Sequence, residues 1–359
     1  MSPHPEPIDL HRAIPGYAPT RLVPLRDAVP GWRGDVVIKL ETERFGLPSF
    51  KVLGASWAIT RRVADWLRID PLARPSFAGL RSALDGKGRR PTLVAATDGN
   101  HGRAVAWTAR QIGCRAEIFV PAGTAPARHD AIAGEGASVN VVDGDYDQTV
   151  AAAAERSGPN HLLIQDTTVS DVETGVAFVT EGYSTIFDEL TARLPDDAPD
   201  PLVLVVPVGV GSLAVAAARF LRRRDRPGRL VTVEPMEAAS LARSIELGQL
   251  VSVPGPHTSC MVGLRCGSIS ADAWPELRAA TDFAVAIEDD EADDVMRWLA
   301  ARDVIVGECG AAALAAARRL AREGRLEEML PALDGTLALI ATEAPTDPAR
   351  WEQVVGRTP

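Results

Sequence analysis

The sequence predicts an α/β fold with a mostly parallel sheet and helices on both faces, and three observations lead there. Short apolar runs rich in β-branched residues alternate with alanine-rich stretches of helical period, the order that parallel βαβ units require. The chain has 359 residues, more than one ordinary core serves, so two domains, or one large domain with a smaller one embedded, are expected. No fixed repeat runs through it, which sets solenoids and propellers aside.

Taken in order, Val36-Val37-Ile38-Lys39-Leu40 is a β-branched run and the first strand. Residues 51–67 keep helical period, 92–95 form the next apolar strand, and 103–112 an alanine-rich helix. Strands are expected at 116–120 and 139–142, a helix at 146–156, and a strand at 162–165. A strand at 202–207, a helix at 213–222 and a strand at 230–234 continue the alternation. Residues 69–90, rich in Pro, Gly and basic side chains, and the Pro/Asp stretch 194–201 read as connecting segments.

Composition narrows the function. The hydrophobic share is 46% and the charged share 24%, ordinary for a globular chain. A net charge of −10, from 38 Lys plus Arg against 48 Asp plus Glu, opposes a nucleic-acid partner, which needs clustered cations. The run Arg222-Arg223-Arg224-Asp225-Arg226 closes an alanine-rich helix, where cations suit the C-terminal dipole; a basic patch is the other reading. Cys114, Cys260, Cys266 and Cys309 show no Cys-x-x-Cys spacing, against a zinc site and against a disulfide framework. The proline-rich, acidic start lacks a signal pattern and no apolar run approaches a bilayer span, so a cytoplasmic protein without a membrane partner is expected.

Three constellations bear chemistry. In Lys39 to Trp57 a strand runs through a turn and delivers Lys51, flanked by apolar residues, to the start of a helix. A desolvated amine is what Schiff-base chemistry asks of a lysine, although a lysine opening a helix is ordinarily just solvated. Thr97-Asp98-Gly99-Asn100-His101-Gly102 lies between a strand and a helix, where free amides suit a carboxylate; a tight turn without a ligand uses the same residues. Gly209-Val210-Gly211-Ser212 again joins strand to helix, and its amides, the Ser212 hydroxyl and the helix dipole make a phosphate cradle. It is neither a P-loop nor a dinucleotide fingerprint, lacking the Gly-Lys-Ser/Thr of the one and the third glycine of the other.

With these three in hand, the sequence resembles the fold-type II, tryptophan synthase β-like enzymes that use pyridoxal 5′-phosphate (PLP), and among them the diaminopropionate ammonia-lyases. Arg44-Phe45-Gly46-Leu47 with Phe50-Lys51 and Leu53-Gly54, and Ala96-Thr97-Asp98-Gly99-Asn100-His101-Gly102-Arg103, carry the resemblance. Gln165-Asp166-Thr167, Glu181-Gly182-Tyr183, Val233-Glu234-Pro235, Met261 to Gly267, Gly307 to Gly310 and Ala341-Thr342-Glu343 extend it nearly end to end.

The resemblance implies two domains with parallel-rich twisted sheets, a large one from 1–61 and 162–359 and a small inserted one over 62–161. It implies that Lys51 carries the cofactor as a Schiff base and that Asn100 meets its ring oxygen. Gly209, Val210, Gly211 and Ser212 would take the phosphate, and Thr342, a neutral partner, the ring nitrogen. Lys51, Asp98 and Asp166 would be the acid and base groups, and Thr97, Asp98, Gly99 and His101 would face the substrate; either aspartate also suits a turn or cap. The implied reaction is α,β-elimination of ammonia from D- or L-2,3-diaminopropionate, giving pyruvate and ammonia, in a homodimer. Serine or threonine dehydration, racemisation and β-replacement keep the cofactor and change the outcome, and a non-catalytic PLP-binding regulator is the reading from another class.

Two departures bear on the substrate. Residues 168–175 contain no aromatic side chain where the ammonia-lyases carry one, and Arg265 stands where a smaller residue is usual, as an acceptor of an acidic substrate or as a surface residue. His257 is either a pocket or a surface histidine.

Overall fold

The computed structural model of the chain describes residues 6–70, 76–144, 146–169, 175–195, 197–226, 228–329 and 333–359. Its contacts divide the chain into two units, Met1–Ala18 with Phe50–Thr185, and Pro19–Ser49 with Ile186–Pro359. The strands are β1 (Leu22–Pro24), β2 (Val36–Leu40), β3 (Thr92–Ala96), β4 (Arg115–Pro121), β5 (Ser138–Val142) and β6 (His161–Leu163), followed by β7 (Leu202–Pro207), β8 (Gly228–Pro235), β9 (Thr281–Ile287) and β10 (Thr336–Ala341).

The first unit holds a four-stranded sheet in the order β5-β4-β3-β6, parallel throughout. β3 is central and buried along its whole length, with Val94, Ala96 and Leu163 packed against Ala153 of the helix Tyr146–Glu155. The helix Lys51–Leu67 packs on the helices Asn100–Ile112 and Val176–Gly182. Those contacts make this unit wider than the inserted segment 62–161 expected from the sequence. The N-terminal helix Pro7–Ala13 joins it through His11, which is fully buried. Its Nδ1 lies 2.7 Å from Thr185 Oγ1 and its Nε2 3.1 Å from both the Leu53 carbonyl and Ser56 Oγ.

The second unit holds a six-stranded sheet in the order β1-β2-β10-β7-β8-β9. Only the short edge strand β1 runs antiparallel to its neighbour; the other pairs are parallel. β7 and β10 are buried at every position, which explains their continuous apolar sequence. The helix Glu308–Arg322, rich in alanine, lies close on that sheet. A charge cluster closes the exit of β2. Lys39, Glu41, Arg44 and Glu189 are each at most 3% exposed; Glu189 meets Lys39 Nζ at 2.5 Å and Arg44 Nη1 at 2.6 Å, and Glu41 meets Arg44 Nε at 2.7 Å. Two cations and two carboxylates thus offset one another where bulk solvent hardly reaches.

No helix of the described residues is long and apolar enough to cross a membrane, and no group of three or more His, Cys, Asp or Glu side chains among them is arranged to hold a metal ion.

Candidate active site

Both sheets reverse their winding once, and the expected site residues gather at those reversals. In the first unit the chain moves outward from β3 to β4 and β5, then returns to add β6 on the other side of β3. In the second it moves from β7 to β8 and β9, then returns to place β10 on the other side of β7. In open α/β sheets the crevice outside the C-terminal ends of strands at such a switch point is where ligands bind.

At the first switch point, β3 ends at Ala96 and the turn Thr97-Asp98-Gly99 leads into the helix Asn100–Ile112. The Thr97 hydroxyl accepts from the Gly99 amide at 2.9 Å, shaping the turn, and Arg128 Nη1 donates to the Asp98 carbonyl at 3.3 Å. Beyond β6 the chain stays beside β3 because the Ile164 amide donates to the Val94 carbonyl and the Gln165 amide group then acts as a strand neighbour. Gln165 Oε1 accepts from the Ala96 amide at 3.1 Å, and Nε2 donates to the Ala96 carbonyl at 3.2 Å. Asp166 follows directly, only 5% exposed.

Lys51, the first residue of its helix, reaches the same place: its Nζ lies 2.6 Å from Asp166 Oδ2. Burial opposes ionisation of Asp166, but the Lys51 ammonium and the hydrogen bond it donates outweigh it and hold the carboxyl well below the usual range. His101 lies beneath the turn, 4% exposed. Burial lowers its pKa over the opposing pull of Asp166, so the ring is neutral and Nε2, 2.9 Å from the Ile164 carbonyl, carries the proton. Nδ1 is then an acceptor, buried, 4.0 Å from Asp166 Oδ2 and without a hydrogen-bond partner among the described residues. The structure therefore brings Lys51, Asp166 and His101 together, with Asp98 and Asn100 in the adjoining turn and helix start.

At the second switch point, Gly209-Val210-Gly211 joins β7 to the helix Ser212–Arg223. Gly211 has φ +105°, a left-handed conformation that favours glycine. A Cβ on Gly209 would stand 2.9 Å from the Gly263 carbonyl oxygen, so close packing requires glycine at that position. The helix makes its first internal bond from the Val215 amide to the Gly211 carbonyl, leaving the amides of Ser212, Leu213 and Ala214 without acceptors inside the helix. Thr342 follows β10, is 5% exposed, and its hydroxyl has no hydrogen-bond partner among the described residues.

Tyr183 was visible in the sequence as part of Glu181-Gly182-Tyr183 but carried no role there. Its hydroxyl is buried without a partner among the described residues and lies within the electrostatic reach of Lys51 and Asp166. Arg265 is engaged with its own loop: Nε donates to the Ser259 carbonyl and Nη2 to the Thr258 carbonyl. His257 is half-buried, with Nδ1 3.0 Å from the Glu237 carbonyl. Of the segment without an aromatic, residues 170–174 lie outside the described residues.

Residues 13–333 match the family model described as pyridoxal-phosphate dependent enzyme. The chain is 32% identical to diaminopropionate ammonia-lyase of Escherichia coli, over 96% of this chain and 89% of the relative. The crystal structure of the holo form of that E. coli enzyme superposes with a TM-score of 0.86 at 30% identity, covering 97% of this chain and 90% of the other. Its complex with D-serine superposes with a TM-score of 0.85 at 30% identity and the same coverage.

Proposed function

The chain belongs to the pyridoxal-phosphate dependent enzymes, and from that premise we propose that it eliminates ammonia from 2,3-diaminopropionate, with water completing the conversion to pyruvate and further ammonia. The cofactor is pyridoxal 5′-phosphate, and the side chains present fit it. Lys51 offers an amine for the aldehyde, and Asn100 a side chain for the ring oxygen. The backbone amides of Gly209 to Gly211, with Ser212 at a helix N-terminus, suit a phosphate. The unpartnered Thr342 hydroxyl suits a neutral ring nitrogen.

The observation that carries the reading is the 2.6 Å pair of Lys51 and Asp166, a base and a carboxylate in one hydrogen bond at a sheet switch point. What the bound cofactor supplies is an electron sink for the Cα–H bond. Lys51 Nζ takes the proton from Cα, and Asp166 orients that nitrogen and keeps it near a charge. Asp98, in the neighbouring turn, serves as the base for the opposite enantiomer, and the turn from Thr97 to His101 holds the substrate carboxylate through backbone amides. The leaving β-nitrogen departs as ammonia with a proton returned by Lys51 or a carboxylate. The choice of substrate rests on the near-full-length likeness to the ammonia-lyase. A homodimer belongs to the same reading, on the habit of the family, and a cytoplasmic location on the sequence pattern given above.

Purified protein with PLP is tested for keto-acid release from D- and L-diaminopropionate, serine and threonine. Pyruvate should form fastest from diaminopropionate. Turnover of serine or threonine with none of diaminopropionate replaces the substrate and keeps the cofactor.

A further inference from the structure

The arginine run at 222–226 divides into a part that serves its helix and a part that faces a cavity. Arg222 Nη1 meets Glu276 at 3.5 Å, and Arg223 donates through Nε to the Arg219 carbonyl at 3.3 Å, the task a cation has at a helix C-terminus. Arg224 follows that helix with φ −76° and ψ 142°, so the backbone has become extended and the helix no longer accounts for it. A cavity of about 310 Å³ lies here within the second unit, at Leu202 and Thr336, the first residues of β7 and β10. Arg223, Arg224 and Arg226 line it, and Leu194 and Pro195 give it an apolar wall. The six residues of β7, about 20 Å of strand, separate it from the loop at Gly209.

Arg224 points to a ligand. Its side chain is 15% exposed, its Nε is buried, and its guanidinium makes no hydrogen bond among the described residues. The Phe220 ring centroid lies 5.7 Å from its Cζ, and Asp200 Oδ1 stands 3.6 Å from Nη2, beyond hydrogen-bond reach. Asp200 is taken instead by Arg226, whose Nε pairs with Oδ2 and whose Nη2 donates to the Ala198 carbonyl at 3.3 Å. Burial, with Arg226 beside it, outweighs Asp200 and lowers the Arg224 pKa, so the charge is poorly compensated. Asp225, exposed, is the other acid on the lining; three guanidiniums against two carboxylates leave this cavity cationic on a chain of net charge −10.

We propose that the cavity binds a small phosphate monoester, its phosphate received by Arg224 with Arg223 and Arg226 beside it and its organic part against Leu194 and Pro195. A guanidinium meets an oxyanion through two parallel N–H donors, and a phosphate, with three terminal oxygens, serves neighbouring guanidiniums at once where a planar carboxylate serves one. The site is separate from the cradle at Gly209 to Ser212 and does not depend on the proposed reaction. Calorimetric titration of the cofactor-free full chain with phenyl phosphate, at constant ionic strength, tests it, with benzoate as the planar counterpart. Phenyl phosphate should bind the wild type saturably and keep this binding in Ser212→Ala. Arg224→Gln should weaken it about 10–100-fold, the loss of hydrogen bonds to a charged group, and Arg224→Lys, which keeps the charge without the fork, should fall between. No binding to the wild type, or binding lost in Ser212→Ala and kept in Arg224→Gln, overturns the proposal. Benzoate binding as tightly as phenyl phosphate overturns the choice of a phosphate. Arg224→Gln removes no hydrogen bond and should keep the unfolding midpoint near that of the wild type; should it not fold, Arg224→Lys carries the test, and affinity equal to the wild type overturns the assignment.

Discussion

Replacing Glu234 with glutamine should remove one term from the chain's dependence of stability on pH, in a direction the structure sets. Glu234 lies near the end of β8 and is 1% exposed. Its carboxylate accepts from the amides of Leu241 at 2.8 Å and Ala242 at 2.9 Å, capping the helix Ser240–Leu247. Burial disfavours the anion while those amides favour it, and burial wins: the carboxyl is raised from its usual 4.5 to about 7. The folded chain therefore holds this proton more tightly than the unfolded chain. The resulting stability is present in full below about pH 4.5 and is lost as pH rises to about 7. At about 1.4 kcal/mol per pH unit, the loss across that window is on the order of 3 kcal/mol. Denaturant midpoints of the wild type and Glu234→Gln, taken from pH 4.5 to 8, isolate it, because every other group titrates in both. The wild type should lose more stability than the variant across the window. Parallel curves, or a wild type that gains on the variant as pH rises, would mean the capping amides prevail over burial and would refute the reasoning.

Other consequences follow from the same structure. Glu189→Ala leaves Lys39 and Arg44 to share Glu41 in a site almost without solvent, and should destabilise the fold by about 3–5 kcal/mol by denaturant titration. Ser212→Ala should weaken PLP binding roughly 10–100-fold, read by fluorescence titration. Arg265→Ala should leave the KM for substrate within about twofold of the wild type, because that guanidinium is occupied by the Ser259 and Thr258 carbonyls; a large rise in KM would return it to the substrate.

Local elements were legible because local chemistry sets them. The strand at Val36–Leu40, the helix Lys51–Leu67 and the strand Leu202–Pro207 fall where apolar period and β-branching put them. Two boundaries moved for identifiable reasons. The helix expected from 103 starts at Asn100, since Asn100-His101-Gly102 are themselves helical and leave only Thr97 to Gly99 for the turn. The strand expected to reach Gln165 ends at Leu163, and Gln165 instead bonds the Ala96 backbone through its side chain. β10 was not anticipated as a strand although its run Leu337 to Ala341 is as continuously apolar as β7, a local signal that was there to be read; only its place between β2 and β7 depends on pairing far along the chain. Long-range contacts account for the rest. Lys51 and Asp166 are 115 residues apart, so their pairing, the tautomer of His101 and the unpaired hydroxyl of Tyr183 have no local signature.

The proposed chemistry needs the amine of Lys51, and chemical trapping questions that amine directly. Protein purified with PLP is reduced with borohydride, digested, and its peptides mapped by mass. A phosphopyridoxyl group on Lys51 alone, absent when Lys51 is replaced by methionine, is the predicted result. A label on another lysine, or a chain that retains none, would contradict it.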